Sequence, residues 1–307
     1  IPASQVWNCL AGNGESNSWN YIVNETRLPA ALTAALAGAA LSLAGLLMQT
    51  TFNNPLAGPS ILGISTGSSL GVALVMLGAG ALGGVGGRLA ILGGALGGAA
   101  VVMVLLLGMS SLVRSTTMLL IVGILLGYLA SSAISLLNFF ATQESVHSFV
   151  IWGMGTFGGV TRAELPLFAL LIIVPSVAAM LYAKPLNALL LGHRYAESAG
   201  VNIRSVRAGV LFLSGALTAF VTAWCGPVGF LGLVVPHIAR LGVRSSSHVL
   251  LIPATAVAGA AVGALCQLLC VAPGALGIIP LNAVTPVIGV PIIIYIIVKR
   301  RSIFYFN

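Results

Sequence analysis

Apolar runs of membrane-crossing length follow one another from residue 28 almost to the end of the chain, separated by short polar or glycine- and proline-containing breaks. A helix needs about 20 residues to cross the hydrocarbon of a bilayer. On that scale the pattern predicts crossings at 28–50, 60–79, 89–108, 117–140, 165–183, 206–225, 228–241, 249–271 and 283–298. An odd number of crossings puts the termini on opposite sides of the membrane. The glycine- and alanine-rich runs suit closely packed helices and lack the two-residue alternation of a β-barrel. The fold class is therefore an all-α polytopic membrane protein of about nine transmembrane helices. Residues 1–27 are polar, with Trp7, Trp19 and Tyr21, the profile of an ordered segment at a membrane interface. A single transmembrane domain follows over 28–307, in halves of about 28–162 and 163–307.

Two breaks interrupt the apolar pattern in related ways. The run Cys225-Gly226-Pro227-Val228-Gly229-Phe230-Leu231-Gly232-Leu233-Val234-Val235-Pro236-His237-Ile238-Ala239-Arg240 holds two prolines, three glycines, a histidine and an arginine in sixteen residues. Irregular backbone at membrane depth needs protein or a water-filled cavity over its N–H and C=O groups. In the first half, Gly58-Pro59-Ser60-Ile61-Leu62-Gly63-Ile64 matches the stretch from Gly226 to Leu233 with one residue inserted. Paired Gly/Pro-interrupted segments in two halves indicate a transporter built from inverted repeats, with its working site between them.

Basic residues orient the chain. With the first span running inward, the inner face carries Arg114, Lys184, Arg194, Arg204, Arg207, Arg240, Arg244, Lys299, Arg300 and Arg301, and the outer face Arg27, Arg88 and Arg162. Ten against three is a clear positive-inside bias and places the C-terminus in the cytoplasm. A re-entrant rather than crossing 228–241 segment would turn the balance to five against eight, so that segment is read as a short, irregular crossing. The outer connection 141–163 reads as a short interfacial helix closed by Gly153, Gly155, Gly158 and Gly159. The inner connection 184–207 is the one sizeable hydrophilic stretch on its face. There Pro185 starts a short helix that Gly192 ends, and a second turn over 194–199 stops at Gly200, together forming a docking platform.

Composition narrows the chemistry. The chain is 58% hydrophobic and 6% charged, with mean hydropathy +1.09, against roughly 25% charged residues in soluble domains. Its net charge of +8 is mostly the topology signal and not a nucleic-acid footprint. The five acidic residues, Glu15, Glu25, Glu144, Glu164 and Glu197, all fall in or beside polar connections. Ion-driven carriers usually hold carboxylates within the membrane, which makes an ion-coupled secondary transporter the weaker alternative, with Na⁺ binding by backbone carbonyls still open to it. A non-transporting membrane receptor or scaffold is a third reading. Cys266 and Cys270 share a helix face, yet no His, Asp or Glu lies near them in sequence, so they read as packing residues, and no metal site is expected. His237 reads as a helix-end histidine bonded to backbone, while His147, His193 and His248 read as solvated. No GxxxxGK[ST] loop occurs, so ATP and Mg²⁺ would belong to a partner and no cofactor to this chain, which is not itself an enzyme.

With these pieces in order, the chain resembles the permease subunits of type II ABC importers for ferric siderophores, haem or cobalamin, over nearly its whole length. The resemblance rests on Arg27-Leu28-Pro29, Gly38-Ala39-Ala40-Leu41, Ala44-Gly45, Gln49, Asn54-Pro55-Leu56-Ala57-Gly58-Pro59 and Leu62-Gly63-Ile64-Ser65. It continues through Trp152-Gly153-Met154-Gly155, Leu191-Gly192, Ala196, Gly200-Val201, the run from Gly226 to Arg240 ending in Pro236-His237-Ile238-Ala239-Arg240, and Gly289-Val290-Pro291. The resemblance implies ten helices, one of them preceding Ile1, in a homodimer in the bacterial inner membrane. It implies two cytoplasmic ATPase subunits and an extracytoplasmic binding protein as partners, with no nucleic acid. It implies coupling to the ATPase at Leu191, Gly192, His193, Arg194, Ala196, Glu197 and Gly200. Structural pivots beside the pathway fall at Asn54, Pro55, Gly58, Pro59, Gly63, Gly226, Pro227, Gly232, Pro236, His237 and Arg240. Outer docking or gating falls to Arg27, Glu144, Trp152 and Pro280, and the pathway to the helices at 117–140 and 283–298, with 141–152 and 272–282 near the outer gate. Departures lie mainly on the outer half: Ala30 replaces a second arginine, and Gln267, Val271 and Ile278 stand where many members carry charges.

Overall fold

The computed structural model describes residues 1–13, 16–78, 84–113, 115–272 and 277–299. Glu15, Arg114, Arg300, Arg301 and residues 273–276 of the expected gate segment lie outside the described residues. Two short helices, α1 (Ala3–Leu10) and α2 (Asn17–Tyr21), open the chain, and a π-helical turn at Ile22–Arg27 leads into α3 (Leu28–Thr51). There follow α4 (Ile64–Ala73), extended by a π turn at Leu74–Gly78, α5 (Gly84–Leu112), α6 (Thr116–Phe140), α7 (Gln143–Gly153) and α8 (Leu165–Ala178). A 3₁₀ turn at Ala179–Tyr182 joins α8 to α9 (Ala183–Leu190), after which come α10 (His193–Ser198), α11 (Ile203–Cys225), α12 (Leu231–Val243), α13 (His248–Val271) and α14 (Leu281–Lys299).

Among the described residues six helical stretches are long and apolar enough to cross a membrane, and three shorter apolar helices, Ile64–Gly78, Leu231–Val243 and Leu281–Tyr295, complete the nine expected. The boundaries shift where backbone chemistry overrides hydropathy. The crossing expected from 228 starts as helix only at Leu231, because Gly226 to Phe230 run in non-helical conformations. Pro185 does not open a separate helix. It sits in the first turn of α9, continuous with α8 through the tighter 3₁₀ turn that precedes it.

The two halves repeat one order: long helix, break, short helix, long helix. In the first these are α3, α4 and α5; in the second, α11, α12 and α13. α3 and α11 pack on each other at the centre and are largely buried, whereas α5, α6 and α8 turn most of their surface outward. The partners are exchanged between halves, α3 lying on α12 and α13 while α11 lies on α4 and α5. Helices in lipid gain nothing from burying apolar surface against one another, so close packing holds them. Glycine makes that approach possible. A Cβ on Gly38 would lie 2.2 Å from Gly259 O across the α3–α13 contact, and one on Gly71 1.8 Å from Gly94 O across α4–α5.

Arg207, counted above among inner-face charges, is 4% exposed. Its guanidinium donates to Ser110 Oγ (3.0 Å), Ser110 O and Val113 O (2.9 Å), closing the last carbonyls of α5. A helix C-terminus carries partial negative charge and unpaired acceptors, which is what this arginine meets.

Candidate functional site

At the end of the bundle that carries α9 and α10, two short helices are seated by their apolar sides. Leu186 and Leu189 face inward from α9, and Ala196 of α10 joins them against Leu47, Val206, Val210 and Leu213. Ala196, expected in the coupling set, therefore seats its helix and presents no surface. Leu191, Gly192, His193, Arg194, Glu197 and Gly200 are exposed, as is Tyr195. Gly192 (φ 101°) and Gly200 (φ 81°) hold left-handed backbone that L side chains avoid, which lets α10 start and stop within six residues. Glu197, Gly200, Val201, Asn202, Ile203 and Arg204 line an open depression of about 360 Å³ beside α10.

The first break is held from the same end. Asn54 Oδ1 accepts from Leu56 N (2.9 Å), fixing the turn that precedes Gly58 and Pro59, both buried. Gly63 (φ 74°) ends the break, and a Cβ there would lie 2.8 Å from Gly123 O of α6. His237 Nε2 lies 3.0 Å from Pro55 O, so α12 grips the loop by its backbone. On α3, Gln49 Nε2 donates to Leu233 O (3.1 Å) and Gln49 Oε1 accepts from Arg240 Nη1 (2.9 Å). A Cβ on Gly232 would meet Leu41 O at 2.8 Å and Pro59 Cδ at 3.0 Å, so this glycine brings the start of α12 against both α3 and the first break. Pro236 is buried on the same helix. His248, read above as solvated, is 1% exposed and bonded to Asn187 and Thr50.

The second break lies at the opposite end and is organised by a residue the sequence did not flag. Asn282, at the start of α14, donates from Nδ2 to Pro227 O (2.6 Å) and Gly153 O (3.1 Å) and accepts at Oδ1 from Gly229 N (3.2 Å). It ties the end of α7, the break and α14 together. Gly226 (φ 74°) packs so closely that a Cβ would lie 2.5 Å from Trp152 O. The Trp152 ring stacks on Phe149, with centroids 6.0 Å apart. Pro280 directly precedes α14 and accepts from Ala283 N (3.0 Å). Glu144 is exposed in the first turn of α7, and Arg27 is exposed where the π turn enters α3. Trp152 and Pro280 are thus brought to one cluster around Asn282, with Glu144 on the helix leading into it.

Two ion pairs close this end, Arg88–Glu164 between the halves and Arg162–Glu25 between the first half and the N-terminal segment. Arg88 reaches Glu164 through Nε (2.7 Å to Oε1) and also donates to Gly159 O, while Arg162 Nη1 pairs with Glu25 (3.0 Å). Burial alone would push the Glu164 carboxyl up, but hydrogen bonds from Arg88 and from Thr161 outweigh it and hold it below the usual range. Among the described residues no group of His, Cys, Asp or Glu is arranged to hold a metal, and Cys266 and Cys270 are buried in the packing.

Asn282, Gln49, Asn187 and Arg207 were each visible as a polar side chain beside or within an apolar run. A side chain of that kind must find a partner when buried, but which backbone it meets depends on tertiary packing.

Comparison with known proteins agrees with this architecture. The model of the FecCD transport family matches residues 1–299. A vitamin B12 import system permease protein, BtuC, of Salmonella paratyphi A is 34% identical over 291 residues, covering 94% of this chain and 86% of the relative. That of Citrobacter koseri is 35% identical over 293 residues, covering 95% and 86%. A solved structure of the metal-chelate type of ABC transporter, in an inward-facing conformation, superposes with TM-score 0.84 at 29% identity, covering 93% of this chain and 90% of that one. A multi-pass helical chain with two glycine- and proline-rich breaks at opposite ends, matched by this family model almost throughout, belongs to the FecCD transport family.

Proposed function

We propose that this chain is the permease subunit of an ATP-driven importer that moves a large metal chelate (cobalamin, a ferric siderophore or haem) inward across a bacterial inner membrane by alternating access. One observation carries the reading. Among the described carboxylates, Glu144, Glu164 and Glu197 stand outside the crossing stretches, and Glu25 lies in the π turn ahead of the apolar run of α3, paired with Arg162, while the exposed α9–α10 platform offers a surface for an ATPase. Energy then enters by contact and not by binding a driving ion in the membrane.

In this reading two copies of the chain assemble with two ATPase subunits at α9–α10, and the C-terminus lies on that cytoplasmic side. A binding protein delivers the chelate to the face bearing Arg27 and α7. The exposed apolar side chains of α6, among them Leu125, Tyr128, Leu129 and Phe139, and of α14, among them Val287, Ile294 and Tyr295, support a pathway and dimer contact along those helices. A wall poor in charge passes a large ligand without holding it. The names of the matched relatives make cobalamin the candidate to test first.

The test is reconstitution in vesicles with a family ATPase and candidate binding proteins, measuring uptake of cobalamin, ferric siderophore and haem. ATP-dependent uptake of one of them is expected. Uptake driven by a proton or sodium gradient without ATP would overturn the reading. Gly200→Trp, which adds a bulky side chain to the exposed left-handed turn, should weaken ATPase association or coupling while the chain still inserts; uptake equal to the unsubstituted chain would count against the platform.

A further inference from the structure

α9 is anchored to the rest of the molecule by more than apolar contact. Asn187 lies on it, half-buried, and its Oδ1 accepts from the His248 backbone N–H (2.8 Å) and lies 2.9 Å from His248 Nδ1. A backbone N–H can only donate, which identifies the Asn187 atom as the oxygen and puts a proton on Nδ1. In the neutral ring, Nε2 is then the acceptor facing the Thr50 hydroxyl at 2.8 Å, whose single proton is shared with Leu46 O (3.2 Å). Thr50 is 4% exposed in the last turn of α3, and its neighbour Gln49 holds α12 through Leu233 O and Arg240. Four helices, α9, α13, α3 and α12, are therefore strung together by polar contacts among buried or half-buried groups.

From this geometry we infer that Asn187, His248 and Thr50 are positioning residues forming a relay that carries displacement of α9 to the end of α3, and through Gln49 to α12. The inference rests on the proposed ATP-driven reading. Apolar packing alone lets helices slide past one another. A chain of directed hydrogen bonds fixes their relative register, because breaking any link leaves a buried polar group unpaired. The first break follows Thr51 directly, and His237 holds it by Pro55 O, so motion delivered to this turn reaches the break and the glycine contact at Gly63 on α6. A relay of this kind is established by coupling between its members and not by their proximity.

The experiment uses the complete complex with its ATPase in vesicles, reading chelate delivered per ATP hydrolysed. Thr50→Val and Asn187→Leu remove opposite ends of the relay; Thr50→Ser retains the hydroxyl. Each of the first two should lower delivery per ATP by roughly three- to tenfold while the ATPase still co-purifies and hydrolyses ATP. The double variant should be no worse than either single one, and Thr50→Ser should restore delivery. An unchanged ratio, losses that multiply in the double variant, or Thr50→Ser failing as badly as Thr50→Val would each overturn the relay. Absence of ATP-driven uptake in the unsubstituted chain would sink the transport reading and the relay with it. Normal uptake there, with unaffected variants, would sink the relay alone.

Discussion

Gly45 of α3 meets the backbone of α12 so closely that a methyl group has nowhere to go. A Cβ built there would lie 1.7 Å from Gly232 O and 2.8 Å from Gly232 Cα, where real Cβ atoms do not come within 3.0 Å. Gly45→Ala therefore forces two backbones apart, and no side chain can rotate aside to relieve it. Overpacking costs about 1–3 kcal/mol when neighbours adjust, and rigid backbone on both sides puts this site at the top of that range. One turn further along, Gln49 Nε2 reaches Leu233 O at 3.1 Å. Separating the helices stretches that bond as well, worth about 0.5–1.5 kcal/mol. Alanine's better helix propensity returns about 1 kcal/mol. The net destabilisation is on the order of 3 kcal/mol, or roughly 6–12 °C in thermal midpoint at about 2–4 °C per kcal/mol. The control is Gly97→Ala on α5, where a Cβ has nothing within 4 Å. Midpoints in detergent, followed by tryptophan fluorescence, should fall for Gly45→Ala and hold or rise for Gly97→Ala. Equal midpoints would refute the claim that α3 and α12 are held at backbone contact.

Asn282→Leu keeps similar volume but leaves Pro227 O, Gly153 O and Gly229 N without this partner. At about 1–3 kcal/mol per unpaired buried group, it should speed hydrogen exchange at 226–229, and unchanged exchange would show that the clamp holds nothing. For Glu164 the folded carboxyl lies below its ordinary value of 4.5, so its stabilising contribution is present above that value and is lost as pH falls through the lower folded value. Glu164→Gln should therefore lower the thermal midpoint at neutral pH, with the gap to the unsubstituted chain closing on acidification. A gap independent of pH would mean that the Arg88 pair contributes no charge-dependent stability.

Much of the fold was legible because a bilayer leaves a chain few options: the apolar runs gave nine helices, and the Gly/Pro breaks gave the repeat. What hydropathy missed was local and polar. Leu231 and not Val228 begins α12 because Gly226 (φ 74°) and Phe230 (φ 66°) take backbone angles no helix admits, and a hydropathy window does not sense φ. His248 lies beside Ser245, Ser246 and Ser247, so composition reads it as solvated; only the packing of α9 and α3 over it makes it buried. Arg207 shows the same limit: a charge count registers its sign but not the α5 carbonyls it closes. The exposed positions of the α9–α10 platform were legible because Gly192 and Gly200 bracket a hydrophilic turn, and Ala196 was not, since one buried methyl among exposed neighbours leaves no pattern.

The stretch from Asn17 to Thr51 is one helical rod of 35 residues. At 1.5 Å per residue it is about 52 Å long, well beyond the roughly 30 Å of hydrocarbon, and its π turn at Ile22–Arg27 precedes the apolar run. One end carries the Glu25–Arg162 pair and the other the Gln49–Thr50 turn. One continuous helix therefore joins the two clusters. Thermodynamic reciprocity then applies between its ends: if a ligand at one end alters affinity at the other, a ligand at that other end alters affinity at the first by the same factor.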